Sequence, residues 1–163
     1  MLQVRPVHND LHRIVITGII WRKEKGENRY LITRRSLEKK VFPGKWTVPG
    51  GGLEMSDYID TPPTHASNQW YRTAEKTLTR EIKQEVNLEI DDIQYFLDLT
   101  FIRPDGIPVL VLSYYCRYAA GEIKLDAESI EYAWVTLKEV GKYDLIDGIR
   151  EEIQMVDRLL TNV

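Results

Sequence analysis

The sequence predicts an α+β fold in which a mixed β-sheet is sandwiched between helices. Two observations predict it. Apolar, β-branched runs bounded by turn residues recur along the chain, and two amphipathic helices are expected, one central and one C-terminal. Such elements bury their apolar faces by packing in layers. A chain of 163 residues can bury a sizeable core, and we expect one domain over residues 1–163.

The first third of the chain predicts a strand pair and then a short strand. Residues 1–13 are polar and predict an exposed lead-in strand. Residues 14–21 are apolar and β-branched, residues 30–34 form a return strand, and a charged turn containing Gly26 joins them. This pattern predicts a hairpin. Residues 46–48 predict a short strand that leads into a glycine run.

The second half of the chain predicts a second hairpin and two further strands. Apolar, aromatic runs at 93–102 and 108–118 flank the turn signal Asp-Gly at 105–106. Residues 121–125 predict a short edge strand, and residues 132–135 predict another strand. These runs supply most of the expected sheet.

The chain is expected to end in an amphipathic helix. One turn of helix is predicted earlier, at residues 137–140. We interpret the apolar stripe of the final helix as core that carries no chemistry. Its members recur at helical spacing and are Ile146, Ile149, Ile153, Val156, Leu159 and Leu160.

Composition excludes some functional classes. The formal net charge of −3 does not favour binding to nucleic acid or to anionic membrane. The single cysteine, Cys116, excludes an intramolecular disulfide, and its apolar strand setting predicts a buried thiol. The sequence contains neither a signal-peptide pattern nor an apolar run long enough to cross a bilayer, so we expect a soluble cytoplasmic protein.

The most informative stretch joins a glycine turn to the central helix. Three glycines at 50–52 precede Glu54, and a helix is expected from Thr73, as N-cap, to Val86. Glu81 and Glu85 lie four residues apart and therefore project from one helix face, with Gln84 beside them. The neighbouring stripe of Leu78, Ile82 and Val86 is expected to pack in the core. Adjacent carboxylates suit a hard cation, Mg²⁺ or Mn²⁺.

This stretch resembles the Nudix box. Gly51 matches its opening glycine, residues 80–82 match its Arg-Glu-apolar core, Glu85 matches its last acid and Leu88 its closing apolar position. Further similarity to the family covers nearly the whole chain, through segments at 31–36, 42–46 and 131–135. The resemblance implies a curved mixed sheet between helices, with the box forming a loop–helix–loop at one edge.

The chain departs from the box at four points. Asp57 stands where the first glutamate belongs, Gln84 replaces an acid, and Asn87 replaces a glycine. About fifteen extra residues, the insertion 58–72, separate Asp57 from Arg80. The Pro62-Pro63 pair stiffens this insertion. Its Trp70 and Tyr71 either cover the pocket and select substrate, pin a surface loop, or meet a second subunit in a homodimer.

The resemblance implies a Mg²⁺-dependent hydrolase that cleaves the diphosphate of a nucleoside diphosphate linked to a group X. Metal ligands would be Glu81, Glu85, Gln84 and the backbone carbonyl near Gly50, and Arg80 would hold the carboxylates in place. The expected nucleotide-type substrates are nucleoside triphosphates, nucleotide sugars and ADP-ribose.

Other roles follow from position. Glu85 or Glu131 is the candidate base, and Glu131 fits the family position before the last strand better than Glu128 does. Candidates for substrate binding are Arg35, Glu54 and Trp70.

Two alternatives remain open at this point. The uncharged Gln84 is compatible with a Nudix-fold nucleotide-binding or regulatory module with little catalysis. An isoprenoid diphosphate isomerase shares the fold, but it requires a reactive cysteine near the site, which Cys116 within a strand matches poorly.

Overall fold

A computed structural model describes residues 9–65 and 68–162, and within these ranges seven strands form one mixed sheet. The strands are β1 (Arg13–Glu24), β2 (Glu27–Arg35), β3 (Trp46–Thr47), β4 (Gly50–Gly52), β5 (Glu89–Ile102), β6 (Pro108–Ala120) and β7 (Ser129–Val135). The helices are α1 (Thr73–Val86) and α2 (Ile149–Thr161), with short 3-10 turns at Met55–Asp57 and Val140–Lys142.

The sheet is organised around β1. Five strands lie in the order β3-β2-β1-β6-β5, while β4 pairs with β1 and β7 pairs with β2. The contact between β1 and β6 is parallel, and the other pairs are antiparallel. The predicted mixed sheet and both predicted hairpins, β1–β2 and β5–β6, are therefore confirmed.

Two separate apolar cores lie on the two faces of the sheet. On one face, α1 buries Leu78, Ile82 and Val86 completely, together with Cys116 from β6. On the other face, the stripe of α2 packs on the sheet through residues such as Ile153. The predicted α/β/α sandwich is therefore confirmed, and burial of each such side chain contributes about 1.5–3 kcal/mol.

The ends of α1 show how its sequence sets its limits. The predicted range, 73–86, is confirmed, but Thr73 is not the N-cap. Arg72 takes that place in the left-handed conformation, and the Thr73 hydroxyl donates to the Trp70 carbonyl at 3.2 Å. Asn87 ends the helix at φ 58°, where the family pattern has glycine. Asparagine is among the few other residues that tolerate this conformation.

Other expectations need correction. Residues 121–125 do not form a strand, because backbone N–H groups of this region bond to the last carbonyls of α1: Lys124 donates to Val86 and Asp126 to Glu85. The glycine run is not only a turn, since it pairs with β1 as β4. The helical turn lies at Val140–Lys142, after a non-helical turn at 137–139. Leu159 is 44% exposed and does not belong to the core stripe.

Two further findings concern the limits of the description. The expected lead-in strand falls largely on residues 1–8, outside the described residues, and strand pairing begins at Arg13. Neither described helix is long and apolar enough to cross a membrane.

Candidate active site

A cavity of about 910 Å³ opens where α1, the glycine strand β4 and the sheet meet. This volume suits a small organic ligand. The box residues of α1 bring four side chains to one wall of it: Arg80, Glu81, Gln84 and Glu85. Glu54 also lines the cavity, as expected. The box and the glycine run therefore form a single wall.

The glycines of β4 allow close approach of the helix. A Cβ on Gly51 would lie 2.3 Å from the carboxyl carbon of Glu81, so any larger residue would displace that acid. Gly50 adopts φ 154°, and a Cβ there would meet the Ile16 carbonyl oxygen at 2.3 Å. The Gly50 N–H donates to Glu85 Oε2 at 3.1 Å. Gly51 thus leaves room for the carboxylate of Glu81, and Gly50 holds that of Glu85 by a hydrogen bond.

Arg80 and Asp57 form the structural anchor of this wall. The Arg80 guanidinium donates to both carboxylate oxygens of Asp57, and to Glu81 Oε1 at 2.9 Å. Asp57 also accepts from the Thr77 hydroxyl at 2.7 Å and from the Glu54 N–H at 3.0 Å. Its side chain is 1% exposed, and the Arg80 hydrogen bond is the main cause that lowers its pKa to about 2. Both carboxylate oxygens of Asp57, which stands in the place of the family's longer glutamate, therefore have hydrogen-bond donors.

Glu85 is in the opposite electrostatic situation. Burial raises its pKa to about 8, and repulsion by nearby acids, of which Glu81 contributes most, adds to the shift. The Gly50 hydrogen bond offsets this only in part. Burial also raises the pKa of Glu81, although Arg80 opposes that shift. Among the described residues, no cation lies within ion-pairing distance of Glu85.

Basic side chains line another part of the cavity. Arg35 lies there as predicted, with its guanidinium held by two hydrogen bonds to the Val41 carbonyl at 2.8 and 3.1 Å. Burial lowers the pKa of Arg35, but nearby acids oppose this shift. The sequence analysis did not identify the other basic residues of the lining: Arg13, Lys39, Lys40, Lys45 and Arg103. The adjacent Lys39-Lys40 pair was the available signal.

Of the two acids near the start of the last strand, the structure brings Glu128 to the cavity and not Glu131, which the sequence favoured. Glu131 lies within β7, opposite Arg34, and its carboxylate is 3.5 Å from that guanidinium, outside the cavity lining. Glu128 precedes the strand and lines the cavity, paired with Lys39 at 2.6 Å. Because β7 begins at Ser129, Glu128 is the acid of the preceding loop.

The structure does not bring Trp70 to the cavity. Its ring packs against Tyr58, with centroids 5.2 Å apart, and its Nε1–H donates to the Thr61 carbonyl at 2.9 Å. These contacts join the two ends of the insertion, in which residues 66 and 67 lie outside the described ranges. Tyr71 is 55% exposed. Trp70 therefore pins a surface loop, and its expected contact with substrate is corrected.

The side chains of Gln84 and Cys116 bear on the two alternative functions, a nucleotide-binding module and an isomerase. The exposed Gln84 lines the cavity, but its Oε1 accepts a hydrogen bond from Arg80 at 3.1 Å. Cys116 is completely buried in the core under α1, and burial raises the pKa of its thiol strongly. It lies outside the cavity lining, so it cannot supply the reactive thiol that an isomerase requires.

A second, mostly uncharged wall is formed by α2, β1 and β6. It carries Glu152, which is 5% exposed and lines the cavity. Thr17 and Ser113 lie nearby on the two strands, with their hydroxyl oxygens 3.3 Å apart. The sequence analysis missed Glu152. The available signal was its place in the stripe, three residues after Ile149 and four before Val156.

The acids fit an open metal site rather than a closed one. Among the described residues, no three His, Cys, Asp or Glu side chains already converge on one point. Glu81 and Glu85 nevertheless both line the cavity; Glu81 is paired with Arg80, whereas Glu85 has no ion-pair partner among the described residues. Mg²⁺ is commonly bound by one or two carboxylates together with substrate phosphates. The donor set is therefore compatible with a divalent ion that substrate helps to hold.

Comparisons with known proteins identify the family and agree with the fold. The family model of the NUDIX domain matches residues 12–158. The nucleoside triphosphatase NudI of Escherichia coli strain K12 is 26% identical over 144 residues, covering 80% of this chain and 89% of that protein. The structure of a MutT protein from Methanosarcina mazei is 25% identical, with a TM-score of 0.66 and coverage of 90% of this chain and 94% of that one.

Two other solved structures share the fold at lower identity. The NUDIX domain of Shewanella oneidensis NrtR, complexed with ADP ribose, is 15% identical, with a TM-score of 0.72 and coverage of 93% and 90%. A C. elegans Ap4A hydrolase is 17% identical, with a TM-score of 0.70 and coverage of 93% and 99%. With the family model spanning most of its length, the chain belongs to the NUDIX family of hydrolases.

Proposed function

We propose that this Nudix hydrolase is a divalent-metal-dependent pyrophosphohydrolase of nucleoside triphosphates. The observation that carries the proposal is the pair of neighbouring carboxylates, Glu81 and the buried Glu85 without a cation partner among the described residues, in a cavity that also contains basic residues. The similarity to a protein named as a nucleoside triphosphatase supports triphosphates over the nucleotide sugars and ADP-ribose that the sequence also allowed.

Glu81 and Glu85 would hold the metal ion, with the Gly50 carbonyl and the Gln84 amide oxygen as further candidate ligands. Mg²⁺ or Mn²⁺ at this position would neutralise phosphate oxygens and lower the pKa of a bound water. Arg80 takes part by orientation, since it bonds to Asp57 and Glu81 at once. Arg80 thereby holds the acidic face of α1 in place against β4.

The basic side chains of the cavity would bind the phosphate groups. The two hydrogen bonds from Arg35 to Val41 hold its guanidinium in a defined place before substrate arrives. A fixed, planar donor group suits phosphate oxygens. Phosphoryl transfer depends mainly on positioning and electrostatic stabilisation, so this constellation needs no covalent nucleophile.

Two acids are candidates for the base that accepts a proton from the attacking water. In the absence of metal, burial raises the pKa of Glu85 to about 8, and a general base works best with a pKa near the operating pH. Glu128 lies in the same cavity, where its carboxylate is paired with Lys39. Glu128 replaces Glu131 in this role.

The experiment is a substrate panel with Mg²⁺, with Mn²⁺ and with EDTA. It contains nucleoside triphosphates, nucleotide sugars and ADP-ribose, and the products are separated by anion-exchange chromatography. We expect metal-dependent release of pyrophosphate or phosphate from triphosphates, and loss of this activity in Glu85→Gln. Cleavage of ADP-ribose or nucleotide sugars alone would overturn the proposed substrate. Nucleotide binding without any cleavage would favour the binding-module alternative.

A further inference from the structure

The buried carboxyl group of Glu152 is only partly satisfied within the fold, by the hydroxyl of Ser113. It lies in the first turn of α2 with 5% of the residue exposed. Its Oε2 atom has no hydrogen-bond partner within residues 9–65 and 68–162. A buried carboxyl oxygen without a partner costs free energy, so this group is expected either to have a ligand or to be replaced by an apolar residue.

The surroundings of Glu152 are those of a binding wall. Burial raises its pKa, and a hydrogen bond with the Ser113 hydroxyl opposes this only in part. Ser113 is completely buried behind the cavity lining, beside Thr17. Thr17 and the apolar side chains Val111 and Ile149 line the cavity with Glu152. A wall of apolar surface with a few polar atoms is the usual environment for a flat heterocycle.

This wall is distinct from the charged part of the cavity. The metal-binding candidates lie on α1 against β4, whereas Glu152 lies on α2 and its hydroxyl neighbours lie on β1 and β6. A nucleotide has the same division, with a highly charged phosphate chain at one end and an apolar base with N–H donors at the other. The phosphate chain fits the metal and basic residues, which leaves this wall for the base.

We propose that Glu152 is a specificity-determining residue, whose unpaired Oε2 accepts a hydrogen bond from a ring or exocyclic N–H group of the substrate base. The inference rests on the proposed function, because it assumes that the substrate is a nucleotide. It assigns selectivity among bases to one buried acceptor on α2. The four bases carry their N–H donors at different ring positions, so a single fixed acceptor at this place is expected to favour one base over the others.

The test compares kcat/KM for the four ribonucleoside triphosphates in the wild type and three variants. Glu152→Met keeps the length of the side chain but removes the acceptor, and Glu152→Gln keeps one acceptor oxygen. Glu151→Gln, at the exposed neighbouring position, is the matched control. For Glu152→Met we expect a fall of about 10- to 100-fold with the preferred base, as for loss of a hydrogen bond to a charged group. The least favoured base should change by less than about 3-fold.

Partial recovery in Glu152→Gln, with no change in Glu151→Gln, completes the expected result. An analogue of the preferred nucleotide that is methylated on the base N–H should lose activity with the wild type and much less with Glu152→Met. Equal losses with all four bases, or no loss with any, would overturn the inference while leaving the proposed function intact. Thermal unfolding of each variant separates these results from a folding defect.

If the wild type cleaves no nucleotide, the proposed function fails and the inference is decided by binding. The four free nucleosides, which lack phosphate, are titrated and followed by NMR. Binding that depends on Glu152 would support the base site without catalysis. Absence of binding, or binding unchanged in Glu152→Met, would overturn it.

Discussion

Asp57 packs against α1 and Glu85 belongs to it, yet the two carboxylates have opposite electrostatic environments. Asp57 accepts hydrogen bonds from Arg80, from Thr77 and from a backbone N–H, and its pKa falls to about 2. Glu85 accepts one from Gly50, lies near other acids, and has its pKa raised to about 8. The charge of Asp57 is compensated within the protein, whereas that of Glu85 has no cation partner among the described residues.

Under the proposed function, Asp57 and Arg80 support the wall and Glu85 would act on metal and substrate. All three residues are charged, so residue type alone does not distinguish the two roles. The number of donors around each carboxylate does distinguish them. Substitutions on the two sides should therefore affect different measurements, and five predictions on four substituted positions test this.

The largest expected effect is on the activity of Glu85→Gln. With saturating Mg²⁺, turnover should fall about 10³-fold or more, because the variant lacks both a charged ligand and a candidate base. The exposed Glu89→Gln serves as control and should keep full activity. Unchanged turnover in Glu85→Gln would remove Glu85 from the mechanism and end the contrast with Asp57.

The same variant should be at least as stable as the wild type when metal is absent. The folded-state pKa of Glu85 is above its ordinary value of 4.5, so its favourable contribution is present below pH 4.5 and is lost as the pH rises through about 8. Urea unfolding in EDTA should thus show the wild type losing stability relative to Glu85→Gln over this range.

Asp57→Asn should have the opposite pattern, with a large loss of stability. Removing the buried charge that pairs with Arg80 should lower the free energy of unfolding by about 3 kcal/mol at pH 7. Because the folded-state pKa of Asp57 is lowered to about 2, its contribution is present above pH 3.8 and is lost as the pH falls through about 2. Urea unfolding at several pH values measures this.

The control for that prediction is Asp60→Asn, an exposed position in the adjoining loop, which should leave stability nearly unchanged. An Asp57→Asn variant that unfolds at the wild-type urea concentration would show that the Arg80 pair contributes little to the fold.

A smaller loss of turnover is expected for Glu128→Gln, which changes another acid of the cavity. Turnover should fall about 100-fold if this acid accepts the proton, because general-base catalysis is worth that order. Glu131→Gln, on the strand beside Arg34, should change turnover by less than about 3-fold. A larger effect of Glu131→Gln than of Glu128→Gln in steady-state assays would reverse the assignment.

The smallest effect is expected for Gln84→Glu, which adds a charge to the wall. Affinity for Mg²⁺ should rise about 3- to 10-fold, since ligand charge tunes the affinity of hard cations. Calorimetric titration of the metal measures it, with Lys83→Gln at the adjacent exposed position as control. Equal or weaker affinity in Gln84→Glu would mean that position 84 does not contact the metal.

Local spacing predicted most of the fold. The limits of α1 followed from an apolar stripe at helical spacing, and the two hairpins followed from turn residues between apolar runs. The prediction of an edge strand at 121–125 was wrong because backbone N–H groups in this region bond to the end of α1. No local sequence pattern reveals that contact. The prediction that Leu159 is buried was wrong because an apolar residue at the margin of a helical stripe can remain exposed.

The candidate site was predictable where it depended on spacing within one helix, as for Glu81 and Glu85. It was not predictable where it depended on register between strands. Whether Glu128 or Glu131 reaches the cavity is set by the start of β7 and by a bulge between Arg34 and Arg35. Glu152 needed the three-dimensional fold, because only the cavity shows that its carboxyl group is buried without a partner in the described chain.

The central position of β1 has a consequence for how the protein acquires its activity. This strand pairs with β4 beneath the acidic wall and with β6 beneath the uncharged wall, and its Thr17 meets Ser113 across 96 positions of sequence. Pairing such distant segments in parallel is slow, because a long loop must close first. During refolding, we expect α1 to form early from local contacts. Enzymatic activity should appear only later, after β1 and β6 have paired.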